Sequence, residues 1–125
     1  NRVALVNGTE NAVLVSIHQN SLPSSPSTHG AQVSWNEQPG AQDLAGEMQE
    51  ALNQCINPER PKEAKEIADT IYLLKNVTAP GVIVECGFLS NQAETARLEE
   101  PTHQRLLAAA ITTGYLRWGN EEGAT

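Results

Sequence analysis

Thiols are scarce: Cys55 and Cys86 are the two in the chain, and their spacing is neither that of a zinc ribbon nor that of a redox Cys-x-x-Cys pair. Both are expected to be free and buried. Cations are scarce as well. Eight Lys and Arg against fifteen Asp and Glu leave a formal charge of -7, and the cations are scattered rather than striped, which excludes nucleic acid as a partner. No apolar run approaches the roughly 20 residues of a membrane-spanning helix, so no membrane span is expected. At the start there is neither a Met nor a basic or apolar signal-like segment, and the sequence is expected to be a piece of a longer one. What is present suits a globular fold. Hydrophobic residues make up 39% and charged residues 18% of 125 positions, enough for one domain with a modest core and too few for two.

The chain is organised around Gly81 to Asn91. Val82, Ile83 and Val84 form a β-branched run of the kind found in strands buried on both faces, and Glu85 follows at once. Gly87 allows a turn, and Asn91 with Glu94 three residues later makes a capping-box start for a helix through Ala96 and Leu98. Glu85 is thereby placed at the carboxyl end of a strand, the edge of an open α/β sheet where ligands bind.

A second apolar run, Ala12 to Ile17, predicts another buried strand, with His18 directly after it. Arg2 to Asn7 reads as the end of a helix closed by Gly8. Gln19 to Gly30, rich in Ser and Pro, is a loop. Ala31, Val33 and Trp35 alternate as in a half-buried strand near a sheet edge. Leu44, Met48, Leu52 and Cys55 recur at helical spacing, and Asn57 to Lys65 is an exposed connection. Ile71 to Leu74 is expected to be a strand. Leu107, Ile111, Tyr115 and Trp118 share one face of a helix that starts after Pro101 and stops near Gly119. Strands alternating with helices predict an α/β domain with a mixed, partly parallel sheet flanked by helices.

If the strands before His18 and Glu85 are parallel neighbours, both side chains emerge at one edge and face one cleft. A histidine beside a carboxylate suits a zinc ligand with its general base, or an acid-base pair without metal. The spacing leaves open a solvent-facing His and a structural acid. His29, in the polar loop, and His103, just before the last helix, follow no strand; capping or exposure accounts for them.

Val15-Ser16-Ile17-His18-Gln19-Asn20-Ser21, Gly30-Ala31-Gln32-Val33, Ile71-Tyr72-Leu73-Leu74-Lys75 and Val84-Glu85-Cys86-Gly87-Phe88-Leu89-Ser90-Asn91 occur in one order along the chain. Together they resemble the zinc-dependent N-acetylmuramoyl-L-alanine amidases of bacterial cell walls. Gln104 to Ile111 and Gly114 resemble that family's final helix, and Asn57-Pro58, Lys65 and Tyr-Leu-Leu-Lys look most like the germination-specific spore-cortex branch. The resemblance implies His18 as a ligand of Zn2+, Glu85 as the catalytic acid-base, and Asn20 and Ser21 as contacts to sugar or peptide along the loop that walls a groove. It also implies two further zinc ligands, a His in a Gly-His-Gly-Gly segment and a Glu beyond it, and neither motif occurs in these residues.

The expectation is therefore a single amidase domain over 1–125, N-terminally incomplete and lacking the family's first strand. By family it hydrolyses the amide between N-acetylmuramic acid and L-alanine of peptidoglycan, in the bacterial envelope or outside the cell. This chain alone is expected to fold, to bind zinc weakly or not at all, to be inactive, and to self-associate or pair with the missing N-terminal segment along an exposed strand edge. The alternative is an inactive remnant that keeps the fold and binds peptidoglycan or a partner protein.

Overall fold

A computed structural model describes residues 1–123. Its elements in chain order are α1 (Arg2–Asn7), β1 (Leu14–Asn20), β2 (Gln32–Trp35), α2 (Ala41–Cys55), β3 (Lys65–Glu66), α3 (Tyr72–Asn76), β4 (Gly81–Phe88), α4 (Gln92–Leu98) and α5 (Pro101–Gly123). The four strands make one sheet in the order β1-β4-β2-β3. β1 and β4 run parallel, β2 and β4 antiparallel, β2 and β3 parallel, so the sheet is mixed and partly parallel, with helices on both faces.

Alternation along the strands divides the core. Val33, Val82, Val84 and Cys86 face α2 and α5, where they meet Leu44, Met48, Leu52, Leu107 and Trp118. Ile83 points to the opposite face and packs with Ile67 and Leu74, with Leu14 beside them. β4 reads as a continuous apolar run because it lies between β1 and β2 and is covered on both sides. The short strand β2 needs help to satisfy its backbone. Gln49 of α2 accepts from Val33 N at 2.8 Å and donates to Ala31 O, while Asn57 accepts from Ala31 N at 3.0 Å and donates to the same carbonyl. These amides do for a loop-flanked strand what a neighbouring strand would do.

Several expectations are corrected. Ile71 to Leu74 is not a strand: Tyr72–Asn76 is a helical turn with Leu74 buried and Tyr72 68% exposed. A four-residue apolar run lacks the length to distinguish the two periods. The strand in that part of the chain is β3, which begins at the end of the segment read as an exposed connection and pairs with Ser34 and Trp35. β2 accordingly stands next to the edge, inside the two-residue strand β3. β1 is an edge strand, half-buried to exposed rather than buried, and it runs on through His18 to Asn20. β4 likewise continues through Glu85 and Gly87, so neither candidate residue follows its strand; both lie within it. Gly8 closes α1 at φ -84 rather than in the left-handed region. Cys86 is buried, but Cys55 is exposed at the end of α2. His103 lies inside α5, which starts at Pro101 and runs past Gly119 to Gly123. The buried face of α5 is Leu107, Ala110, Gly114 and Trp118, with Tyr115 42% exposed.

Gly114 sits where α5 crosses α2. A Cβ there would lie 2.5 Å from Met48 Cα and 2.7 Å from Met48 N, so backbone rather than a side-chain end would have to move. Gly114→Ala is expected to lower stability by about 1–3 kcal/mol by forcing the two helices apart. Gly46→Ala, with nothing within 4 Å of the added carbon, serves as the control in the same thermal unfolding experiment.

Candidate active site

His18 and Glu85 are register partners on the parallel pair β1 and β4, preceded by the pairs Ser16 with Ile83 and Ile17 with Val84. Partners across a parallel ladder point to the same face. Ser16, His18, Ile83 and Glu85 accordingly floor one cleft of about 420 Å3, walled by Arg2 and Val3 of α1 and by Thr70 to Leu74. The two residues expected to share a cleft do so, on the face of the sheet away from α2.

The first helix is held over this cleft by its last side chain. Asn7 donates to Asn76 O at 3.2 Å and accepts from Thr78 N at 2.8 Å, tying α1 to the segment that leads into β4. Inside the cleft, His18 Nε2 lies 2.8 Å from Ser16 Oγ, two residues back on the same face. Glu85 Oε2 is buried and has no hydrogen-bond partner among the described residues. A buried carboxylate oxygen without a donor costs on the order of 1–3 kcal/mol, a cost normally met by a bound ligand or tolerated at a reacting site.

Past His18 the pairing slips, for Asn20 is opposite Phe88 rather than Gly87. This one-residue bulge in β4 separates the cleft from Asn20 and Ser21, which do not line it. Asn20 Oδ1 accepts from Ser21 N at 2.8 Å, and Ser21 is exposed.

The bulge is held by a residue whose role the sequence pattern mistakes. Glu94 does receive the cap, its N–H donating to Asn91 Oδ1 at 2.9 Å, but its carboxylate does not return to Asn91. It turns inward, 4% exposed, and accepts from Phe88 N at 2.7 Å and Gly30 N at 2.9 Å. Gly30 has φ +106, and a Cβ on Gly87 would lie 2.6 Å from Glu94 Oε1. Gly87 thus makes room for the buried carboxylate, and Gly30, in the left-handed region, turns its N–H onto it. Gly87 is the available signal, and it reads as a turn instead.

Cys86, next to Glu85, has its thiol pushed up to about 11 by burial and by the Glu85 charge, which leaves it protonated and inert. Among the described residues no group of three or more His, Cys, Asp or Glu is arranged to hold a metal ion. A protein zinc site uses three or four ligands, so His18 does not make one with the side chains around it.

The N-acetylmuramoyl-L-alanine amidase family model matches residues 1–117. The germination-specific N-acetylmuramoyl-L-alanine amidase of Bacillus subtilis (strain 168) is 34% identical over 122 residues, 98% of this chain and 51% of that protein. The structure of the CwlD amidase of Clostridioides difficile, solved in complex with the GerS lipoprotein, superposes with a TM-score of 0.88 at 32% identity, covering 95% of this chain and 60% of that one. An N-acetylmuramoyl-L-alanine amidase from Clostridium difficile 630 gives a TM-score of 0.85 at 26% identity, covering 95% and 63%. This chain therefore spans between about half and two thirds of the length of these relatives, and it belongs to the N-acetylmuramoyl-L-alanine amidase family.

Proposed function

We propose that this chain belongs to the single catalytic domain of a peptidoglycan hydrolase acting on the amide between N-acetylmuramic acid and the L-alanine of the stem peptide. The observation that carries the reading is the pairing of His18 with Glu85 in one cleft, with Oε2 of Glu85 buried and unpartnered. Amide hydrolysis needs a base for the attacking water and an acid for the leaving amine, and one carboxylate performs both in turn. Glu85 takes that role. Its free oxygen receives the proton of the water, and the protonated form delivers it to the alanine nitrogen. Asn20 and Ser21, one bulge further along, are assigned to sugar or peptide contacts on the loop side.

Zn2+ is the cofactor proposed for the complete site, with His18 as the ligand this chain contributes. Among the described residues no group of three or more His, Cys, Asp or Glu is arranged to hold a metal ion, so every step above rests on the chain's own side chains. The substrate places the activity in the bacterial cell envelope or outside the cell, and likeness to the Bacillus subtilis relative points to spore-cortex peptidoglycan during germination. The CwlD complex with GerS supports a protein partner for this chain as well. A second reading, a domain that binds peptidoglycan or a partner without turnover, is favoured by the ligand set that stops at His18.

Incubating a protein that joins this chain to the two further zinc ligands with purified peptidoglycan and added zinc, and following peptides with a free L-alanine amino terminus by mass spectrometry, decides between them. Release of such peptides is the expected result for the enzyme. Sedimentation with peptidoglycan without release is the result for the binding domain, and failure of both would dispose of either reading.

A further inference from the structure

Between the C-terminal end of α2 and the start of α5 lies a second cleft, of about 390 Å3, which shares no residue with the one holding His18 and Glu85. Two of the molecule's few permanent cations gather in it. In a chain with net charge -7 and only eight Lys and Arg, Arg60 and Arg97 line it together with His29 and His103. Lys62 joins His29 and Arg60 in an adjoining hollow.

Of the two carboxylates facing the cleft, Glu59 is exposed to solvent and makes no ion pair among the described residues, and Glu94 is engaged elsewhere. Glu94 directs both oxygens at backbone N–H groups of Gly30 and Phe88. Arg97 touches it with one nitrogen at 3.4 Å, and its side chain is 49% exposed, which leaves most of the guanidinium fork unused. Arg60 is exposed and makes no ion pair among the described residues. Burial, then the Arg97 charge, holds the His103 imidazole below its ordinary value, against opposing pulls from Glu94 and Glu100. Burial likewise holds the Lys62 ammonium down. A bound anion would favour the protonated form of both.

We propose that this cleft is a binding site for an oxyanion, the carboxylate or phosphate group of a ligand, gripped by the forked donors of Arg60 and Arg97 with the two imidazoles beside it. Guanidinium groups suit planar, bidentate capture of carboxylate or phosphate better than any other side chain. The site is separate from the proposed hydrolysis and does not depend on it.

The test uses the imidazole Cε1–H signals of the three histidines, followed by NMR at constant ionic strength while sodium phosphate or sodium acetate is added to the chain. The signals of His29 and His103 should shift saturably and that of His18, in the other cleft, should not. Tighter binding of phosphate identifies a phosphorylated ligand, and tighter binding of acetate a carboxylate one. Arg60→Gln should weaken the preferred anion by about tenfold, the loss of one charge-assisted contact. The proposal is overturned if sodium chloride reproduces the shifts, if all three histidines move together without saturation, or if Arg60→Gln leaves the affinity unchanged.

Discussion

In a protein carrying the complete zinc site, Glu85→Gln is expected to lower the release of L-alanine-terminated peptides by about 10²- to 10⁴-fold, the range of a lost general acid-base, while leaving the fold as stable as before or slightly more so. The two halves have one cause. Glu85 has an oxygen buried without a donor, on a strand otherwise enclosed in the core. In water that oxygen would be fully hydrated, so folding loses an interaction that nothing among the described residues restores. An uncharged amide costs less to bury in the same place. It also cannot take a proton from water near neutral pH. Loss of activity with retained or raised thermal stability is the signature of a group kept for chemistry rather than for the fold. Peptide release and thermal unfolding, measured on the same preparation, check both halves. Unchanged release would remove Glu85 from the reaction, and a fall in stability as large as that of a core truncation would show that the side chain is structural.

Glu94→Ala carries the opposite expectation: a loss of roughly 3–5 kcal/mol, a large share of the 5–15 kcal/mol that stabilises a typical domain. Its carboxylate accepts from Gly30 N and Phe88 N, two backbone donors in buried surroundings, and truncation leaves both without a partner. Each unsatisfied donor costs about 1–3 kcal/mol, and the lost contact with Arg97, at 3.4 Å and half exposed, adds little. Glu94→Gln retains an acceptor oxygen in the same place and should recover about half of the loss. Gly87→Ala tests the same contact from the other side, since its methyl would collide with Glu94 Oε1. Urea unfolding of the four proteins orders them: wild type, then Gln, then Ala, with Gly87→Ala in the lower half. An Ala variant as stable as wild type would mean that water satisfies both amides and that the clamp is incidental.

Much of the domain is legible in local pattern. The apolar runs around Val15 and Val82 to Val84, and the stripe of Leu44, Met48 and Leu52, identify β1, β4 and α2, because burial of a face imposes a period on the residues that fill it. His18 and Glu85 stand out for the same reason, as polar residues that interrupt apolar runs. Where the run is short the period is lost, and Ile71 to Leu74 reads as a strand although it folds as a turn of helix.

What residue order alone determines is where the main apolar segments lie, and that two polar side chains stand next to apolar strand segments. That these two meet was decided by the parallel pairing of β1 with β4, whose register sets His18 beside Glu85 although the two strands lie far apart in the chain. Local periodicity cannot specify such a register, because it depends on hydrogen bonds between strands distant in sequence. The role of Glu94 was likewise a tertiary decision. A Glu three residues after Asn91 satisfies the rules of a helix cap, and it is Phe88 N at the bulge together with Gly30 N, from a loop 64 residues earlier, that draw its carboxylate into the interior.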